Sequence, residues 1–121
     1  MNYNTDDIHY IAQAVAKLVE AGIRQEQTER QEAQTMAEFE LAFRETLRQI
    51  GAEALGIFLS SLQQTPESEI ACVCGGRQHY QRMRPAVTMT VFGKVEYLRA
   101  YYAGCVCGEG LAPLDKTYGL E

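Results

Sequence analysis

Every cysteine of the chain lies in one of two short stretches, ACVCGGRQHY from Ala71 and AGCVCGEGLAPLD from Ala103. Each stretch holds Cys-Val-Cys followed by glycine, so Cys72 and Cys74 repeat as Cys105 and Cys107. Thiolates are soft ligands, and four of them meeting at one point make a tetrahedral zinc site. Residues i and i+2 of a flat strand share a face but sit too far apart to chelate together. A tight turn is therefore needed at each pair. Gly75, Gly76 and Gly108 supply the backbone freedom for such turns and let amide groups approach the sulfurs. A site closed by four protein ligands holds structure, whereas a catalytic zinc keeps one position open for water. Two other uses of the thiols stay open. Disulfides allow three connectivities among four cysteines, and a labile zinc site can act as a redox switch once the metal leaves. His79 is a possible substitute ligand, but its place where the chain leaves the first turn reads as an ordinary polar position.

The elements around the cysteines must bring the two pairs together. AVTMTVFGKVEYLRAYY is rich in β-branched and aromatic residues, with Phe92-Gly93-Lys94 at its centre, and predicts a β-hairpin. A hairpin returns the chain to its start and sets the two Cys-Val-Cys segments side by side. On this reading Val87, Met89 and Val91 share one face of the first strand, and Leu98, Ala100 and Tyr102 one face of the second. So small a module usually needs a staple, which zinc would provide. Removal of one ligand is then expected to unfold it, because zinc binding and folding form one equilibrium.

The first half predicts helix. Asn4 or Thr5 can cap a helix whose first turn holds Asp6 and Asp7, and whose apolar residues Ile8, Ile11, Val15, Leu18 and Val19 recur at helical spacing, with Gly22 as a stop. A second helix is expected from about Arg24 to Gln64. It carries an apolar stripe of Met36, Phe39, Phe43, Leu47, Ile50, Ala54, Ile57, Phe58 and Leu62. Forty helical residues would span roughly 60 Å, so a break is expected near Gln25 to Gln34 or at Gly51, or else self-association through the Met36 to Leu62 stripe. Local core packing is the preferred use of that stripe. QQTPESE, Gln63 to Glu69, ends the helical part. The expected fold class is α+β. A helical region, 1–65, forms a helical hairpin or long helices, and a four-cysteine zinc-ribbon-like β-hairpin module, 66–121, follows.

Composition sets outer bounds. The net charge of −5 divides into −7 over Met1 to Glu69, with 5 basic and 12 acidic residues, and +2 over Ile70 to Glu121, with 6 basic and 4 acidic. The asymmetry suggests two parts with different jobs. No run of ~18 apolar residues predicts a membrane span, and the acidic start does not read as a secretory signal. A cytoplasmic location is expected, where thiols stay reduced. No phosphate loop, HExxH motif or nucleophile–base pattern occurs, so no enzyme activity is expected. Arg77, Arg82, Arg84, Lys94, Arg99 and Tyr101, interleaved with other tyrosines, could contact phosphates and stack on bases, or could belong to an ordinary solvated sheet.

CVCGG followed by RMRPAVTMTVFGKVEYLRAYYAGCVCGEGLAPLDKTYGL resembles the N-terminal region of bacterial insertion-sequence transposases of the Kra-four type. The match runs through Cys72, Cys74, Gly75, Val87, Thr88 or Thr90, Phe92, Gly93, Val95, Arg99, Tyr101, Tyr102, Cys105, Cys107, Gly108, Pro113, Leu114, Asp115, Gly119 and Leu120. It covers about Ile70 to Glu121. The resemblance implies binding to the DNA ends of a mobile element, with cutting and joining done by an acidic triad on a following RNase-H-like domain. The chain stops at Glu121, so it reads as a non-catalytic front end, and Asp115 is not expected to be a catalytic acid. Two other readings are a helical self-association module with a structural zinc, and a redox-responsive zinc protein.

Overall fold

The computed structural model describes residues 2–29, 34–63 and 65–120. The element order is α1 (Thr5–Glu29), α2 (Met36–Ser61), β1 (Glu69–Ala71), β2 (Arg77–Thr90), β3 (Gly93–Ala103) and α3 (Pro113–Tyr118). The fold is α+β, with two long helices followed by a three-stranded antiparallel sheet in the order β1-β2-β3. Two compact units divide inside α2, Met1–Arg48 and Gln49–Glu121.

In the first unit Asn4 caps α1, its Oδ1 accepting from the Asp6 amide at 2.8 Å. Thr35 caps α2 by accepting from the Glu38 amide at 3.3 Å. Gly22 does not stop α1, which runs on to Glu29. One interior glycine costs only about 1 kcal/mol, and the Glu20–Arg24 ion pair at 2.6 Å spans it. The break expected between Gln25 and Gln34 falls largely on 30–33, outside the described residues, while Gly51 lies within α2. Ala16, Glu20 and Ile23 of α1 line an apolar groove with Met36, Phe39 and Phe43 of α2. Among the described residues of this unit Val19 alone is buried.

In the second unit the hairpin forms as expected, but β2 begins ten residues before Val87, at Arg77. Val91 and Phe92 make its turn, and Gly93, at φ +90°, takes the left-handed conformation there. Val87, Met89 and Val91 are exposed, and the core joins Val95 and Tyr97 to Leu59 of α2 and Leu114 of α3, with Ala86 packed alongside. On the second strand Ala100 and Tyr102 are buried, while Leu98 of the same face is exposed. Both faces of AVTMTV could be buried by alternation alone. The small Ala86 and Thr88, paired with Tyr97 and Val95, lie on the face the helices cover.

The apolar stripe of α2 is not what packs on the sheet. Ile57 and Phe58 stay exposed, and Ala52, Leu55 and Leu59 turn inward instead. The cause is Gly56, where a Cβ would run into the Glu96 carbonyl. The bare backbone lets α2 lie along the outer edge of β3. There Ser60 Oγ accepts from the Leu98 amide at 2.8 Å and Gln63 Oε1 from the Ala100 amide at 3.1 Å. Further along, Tyr102 exchanges two backbone hydrogen bonds of 2.8 Å with Leu111. The outer edge of β3 is thus covered by side chains and by a returning loop, which keeps it from pairing with another chain.

Candidate metal centre

The sheet puts the cysteines at one end. Cys72 and Cys74 occupy the tight connection between β1 and β2, and Cys105 and Cys107 follow β3. The β2–β3 register pairs His79 with Ala103, so the end of β3 meets the start of β2. The two tripeptides fold alike. The Gly75 amide donates to the Cys72 carbonyl at 3.0 Å, and the Gly108 amide to the Cys105 carbonyl at 2.9 Å. Gly75 and Gly108 both adopt left-handed φ, +92° and +76°. Gly76 is required for a different reason, since a Cβ there would lie 2.7 Å from Cys105 Sγ. In each turn the first cysteine is buried and the second exposed, with Val73 and Val106 at the solvent-facing tips.

The four Sγ atoms lie within 4.8 Å of one another. Cys74 and Cys105 are 3.2 Å apart, and Cys72 and Cys107 3.6 Å apart. Zn–S bonds of ~2.3 Å in tetrahedral geometry put sulfurs about 3.8 Å apart, a spacing inside this range. All four cysteines are free thiols rather than disulfides. The cluster can hold a metal ion, and its all-sulfur donor set suits a soft or borderline divalent cation.

The thiols differ in acidity. The Cys74 amide, directed at Cys72 Sγ, draws the Cys72 thiol down to about 6, with help from the neighbouring sulfurs against burial. The Gly76 amide pulls on Cys74 in the same way, but the sulfurs of Cys105, Cys72 and Cys107 outweigh it and push Cys74 up to about 12. Cys107 is also raised, the sulfurs of Cys72 and Cys105 overcoming the Glu109 amide. A metal binds thiolates, so at pH 7 it must displace protons from at least Cys74 and Cys107. Apparent affinity is therefore highest at alkaline pH and falls as pH drops. The expected slope is at least about 100-fold per pH unit near neutrality, for at least two protons released, and it steepens below about pH 6 as Cys72 protonates. Metal titrations against a competing chelator at pH 6.5, 7.0 and 7.5 measure this directly.

Sequence reasoning missed Gln78, which is 1 % exposed. Its amide nitrogen donates to Cys72 Sγ at 3.4 Å and to the Glu109 carbonyl at 2.8 Å. The only sequence signal is its place in β2 beside the first turn, alternating with exposed neighbours. His79 is not among the clustered ligands. It faces Glu69 at 3.3 Å on the surface, as the Glu69–His79 register dictates.

The candidate nucleic-acid contacts separate. Residues directly opposite in an antiparallel pair share a face. Arg82 pairs with Tyr101 and Arg84 with Arg99, which puts all four on one face, whereas Lys94 pairs with Met89 on the other. The Arg84 guanidinium lies 4.4 Å over the Tyr101 ring. Arg77 is exposed, 3.7 Å from Glu69. Arg99 is committed inward. Its Nε donates to Asp115 Oδ2 at 2.6 Å, while the Tyr97 hydroxyl donates to Asp115 Oδ1 at 2.6 Å. Asp115 is thus a buried structural acid that ties α3 to the sheet.

Among the described residues no helix is long and apolar enough to cross a membrane. Compared with known proteins, the chain matches no family model, no curated protein and no solved structure.

Proposed function

We propose that the chain is a non-catalytic, zinc-stabilised DNA-binding front part of a transposase of the Kra-four type, in which Cys72, Cys74, Cys105 and Cys107 hold one structural zinc. The observation that carries the reading is the convergence of four sulfurs from two like turns at the end of one hairpin. The ion, when bound, supplies no reaction. It joins the two turns and so fixes the sheet between them. The residues that carry the resemblance fall on this scaffold. Gly75 and Gly108 shape the turns, Val95 and Leu114 fill the core, and Arg99 meets Asp115. That placement favours a folding unit over a catalytic one. Arg82 and Arg84, beside Tyr101 on one face, are the residues we assign to phosphate and base contact.

Selection of bound duplexes from a random-sequence DNA pool by the zinc-loaded chain, followed by gel shift at about 0.1 M salt, tests the reading. Recovery of duplexes whose binding is lost in Arg82→Glu and Arg84→Glu, with zinc retained, is the expected result. No retained duplex from the zinc-loaded chain would overturn it.

A second reading, self-association through α2, rests on the first unit. Met36, Leu41 and Leu47 stay exposed there, as do Ile8, Ile11 and Leu18 of α1. With Val19 alone buried among its described residues, this unit lacks the core that a stable unit of its size needs. Light scattering is expected to give a dimer for the wild type. Phe43→Asp, in the apolar groove, should weaken it at least about tenfold. A monomer in both removes the reading.

A further inference from the structure

We infer that Gln78 is a positioning residue of the metal centre, a clamp whose single amide group fixes one sulfur of the first turn against the backbone of the second. The inference rests on the zinc reading of the four cysteines. The side chain leaves β2 immediately after the first turn and is almost wholly buried, at 1 % exposure. Both of its hydrogen bonds come from Nε2, one to Cys72 Sγ and one to the Glu109 carbonyl, two residues beyond Cys107. Its orientation is fixed by chemistry. A flipped amide would set Oε1 against a sulfur and a carbonyl, two acceptors facing a third.

Gln78 Oε1 has no hydrogen-bond partner among the described residues, although it is buried. A buried acceptor without a partner disfavours the folded state, and a leucine or methionine of similar size would avoid that penalty. Packing alone therefore does not account for glutamine here. What it adds is a donor to a sulfur that holds the metal as an anion. An N–H···S bond to a thiolate disperses charge in a site that gathers four of them, and it orients the sulfur toward the ion. The second N–H, on Glu109, holds the second turn at the distance the first requires. The clamp thus couples the two halves of the site through a side chain as well as through the metal.

Gln78→Leu keeps the volume and removes both bonds, and Gln78→Met serves if the leucine variant does not fold. Zn(II) affinity is measured on the full chain by competition with a chromophoric chelator. The sulfur-to-metal charge-transfer band is recorded on the same chains loaded with Co(II). The expected result is zinc bound 10–100-fold more weakly and a shifted charge-transfer band, with tetrahedral cobalt still held by four sulfurs. Equal zinc affinity and an unmoved band in either folded variant would overturn the assignment. A wild-type chain that takes up neither metal would instead overturn the zinc reading beneath it.

Discussion

Cys105→Ser is expected to unfold the second unit at neutral pH. Cys105 is buried, its sulfur lies 3.2 Å from Cys74 Sγ, and Gly76 is moulded around it. Serine offers a poor ligand in a space shaped for sulfur. The three remaining thiols cannot close the site, and folding that is linked to metal binding is lost with it. The expected cost exceeds about 4 kcal/mol, a size confined to a few mechanisms of which metal loss is one. Tyrosine near-UV circular dichroism reports it well, because Tyr97, Tyr102 and Tyr80 sit in or beside the sheet core, the last two edge to face at 5.9 Å. The substituted chain should lose that signal and keep the far-UV signal of α1. A chain that retains its near-UV signal and one equivalent of zinc after the substitution would contradict the structural role of the metal.

Asp115→Ala should produce the largest loss of stability that leaves the metal bound. The carboxylate receives the Tyr97 hydroxyl and the Arg99 Nε, each at 2.6 Å, and is 8 % exposed. Its removal leaves the guanidinium of Arg99, itself only 17 % exposed, without its charged partner. Removing one member of a buried pair costs about 3–5 kcal/mol. Denaturant unfolding of the zinc-loaded chain is the measurement. Asp115→Asn, which can still accept from Tyr97, should fall between wild type and alanine. A loss below about 1 kcal/mol for the alanine variant would show that the pair holds little of the fold.

Much of the metal centre is legible in the sequence because cysteine type and local spacing are local facts. Two Cys-Val-Cys-Gly copies around a hairpin imply convergence, and the glycines imply the turns. The same holds for the Asn4 cap, and Thr35 with Glu38 three residues on is a start signal of the same kind. What the sequence hides is non-local. The buried side of the sheet depends on which face the helices reach, and AVTMTV offers apolar or small residues to both. The packing side of α2 depends on Gly56 meeting the β3 backbone, a contact between residues 40 apart in the chain. Arg99 looks like any other arginine among tyrosines until α3 folds back and brings Asp115 to it. Gln78 matches no motif, because its role depends on a carbonyl 31 residues away.

The central claim is that one metal ion held by four cysteines folds the second unit. The most direct measurement is anaerobic titration of the reduced, metal-free full chain with Zn(II) at pH 7.5, followed by near-UV circular dichroism and native mass spectrometry. The tyrosine signal should grow linearly and stop at one zinc per chain, with a mass increase of one ion and loss of thiol reactivity at all four cysteines. A metal-free chain that already shows the full signal, or one that gains no zinc with its thiols reduced, would contradict that claim.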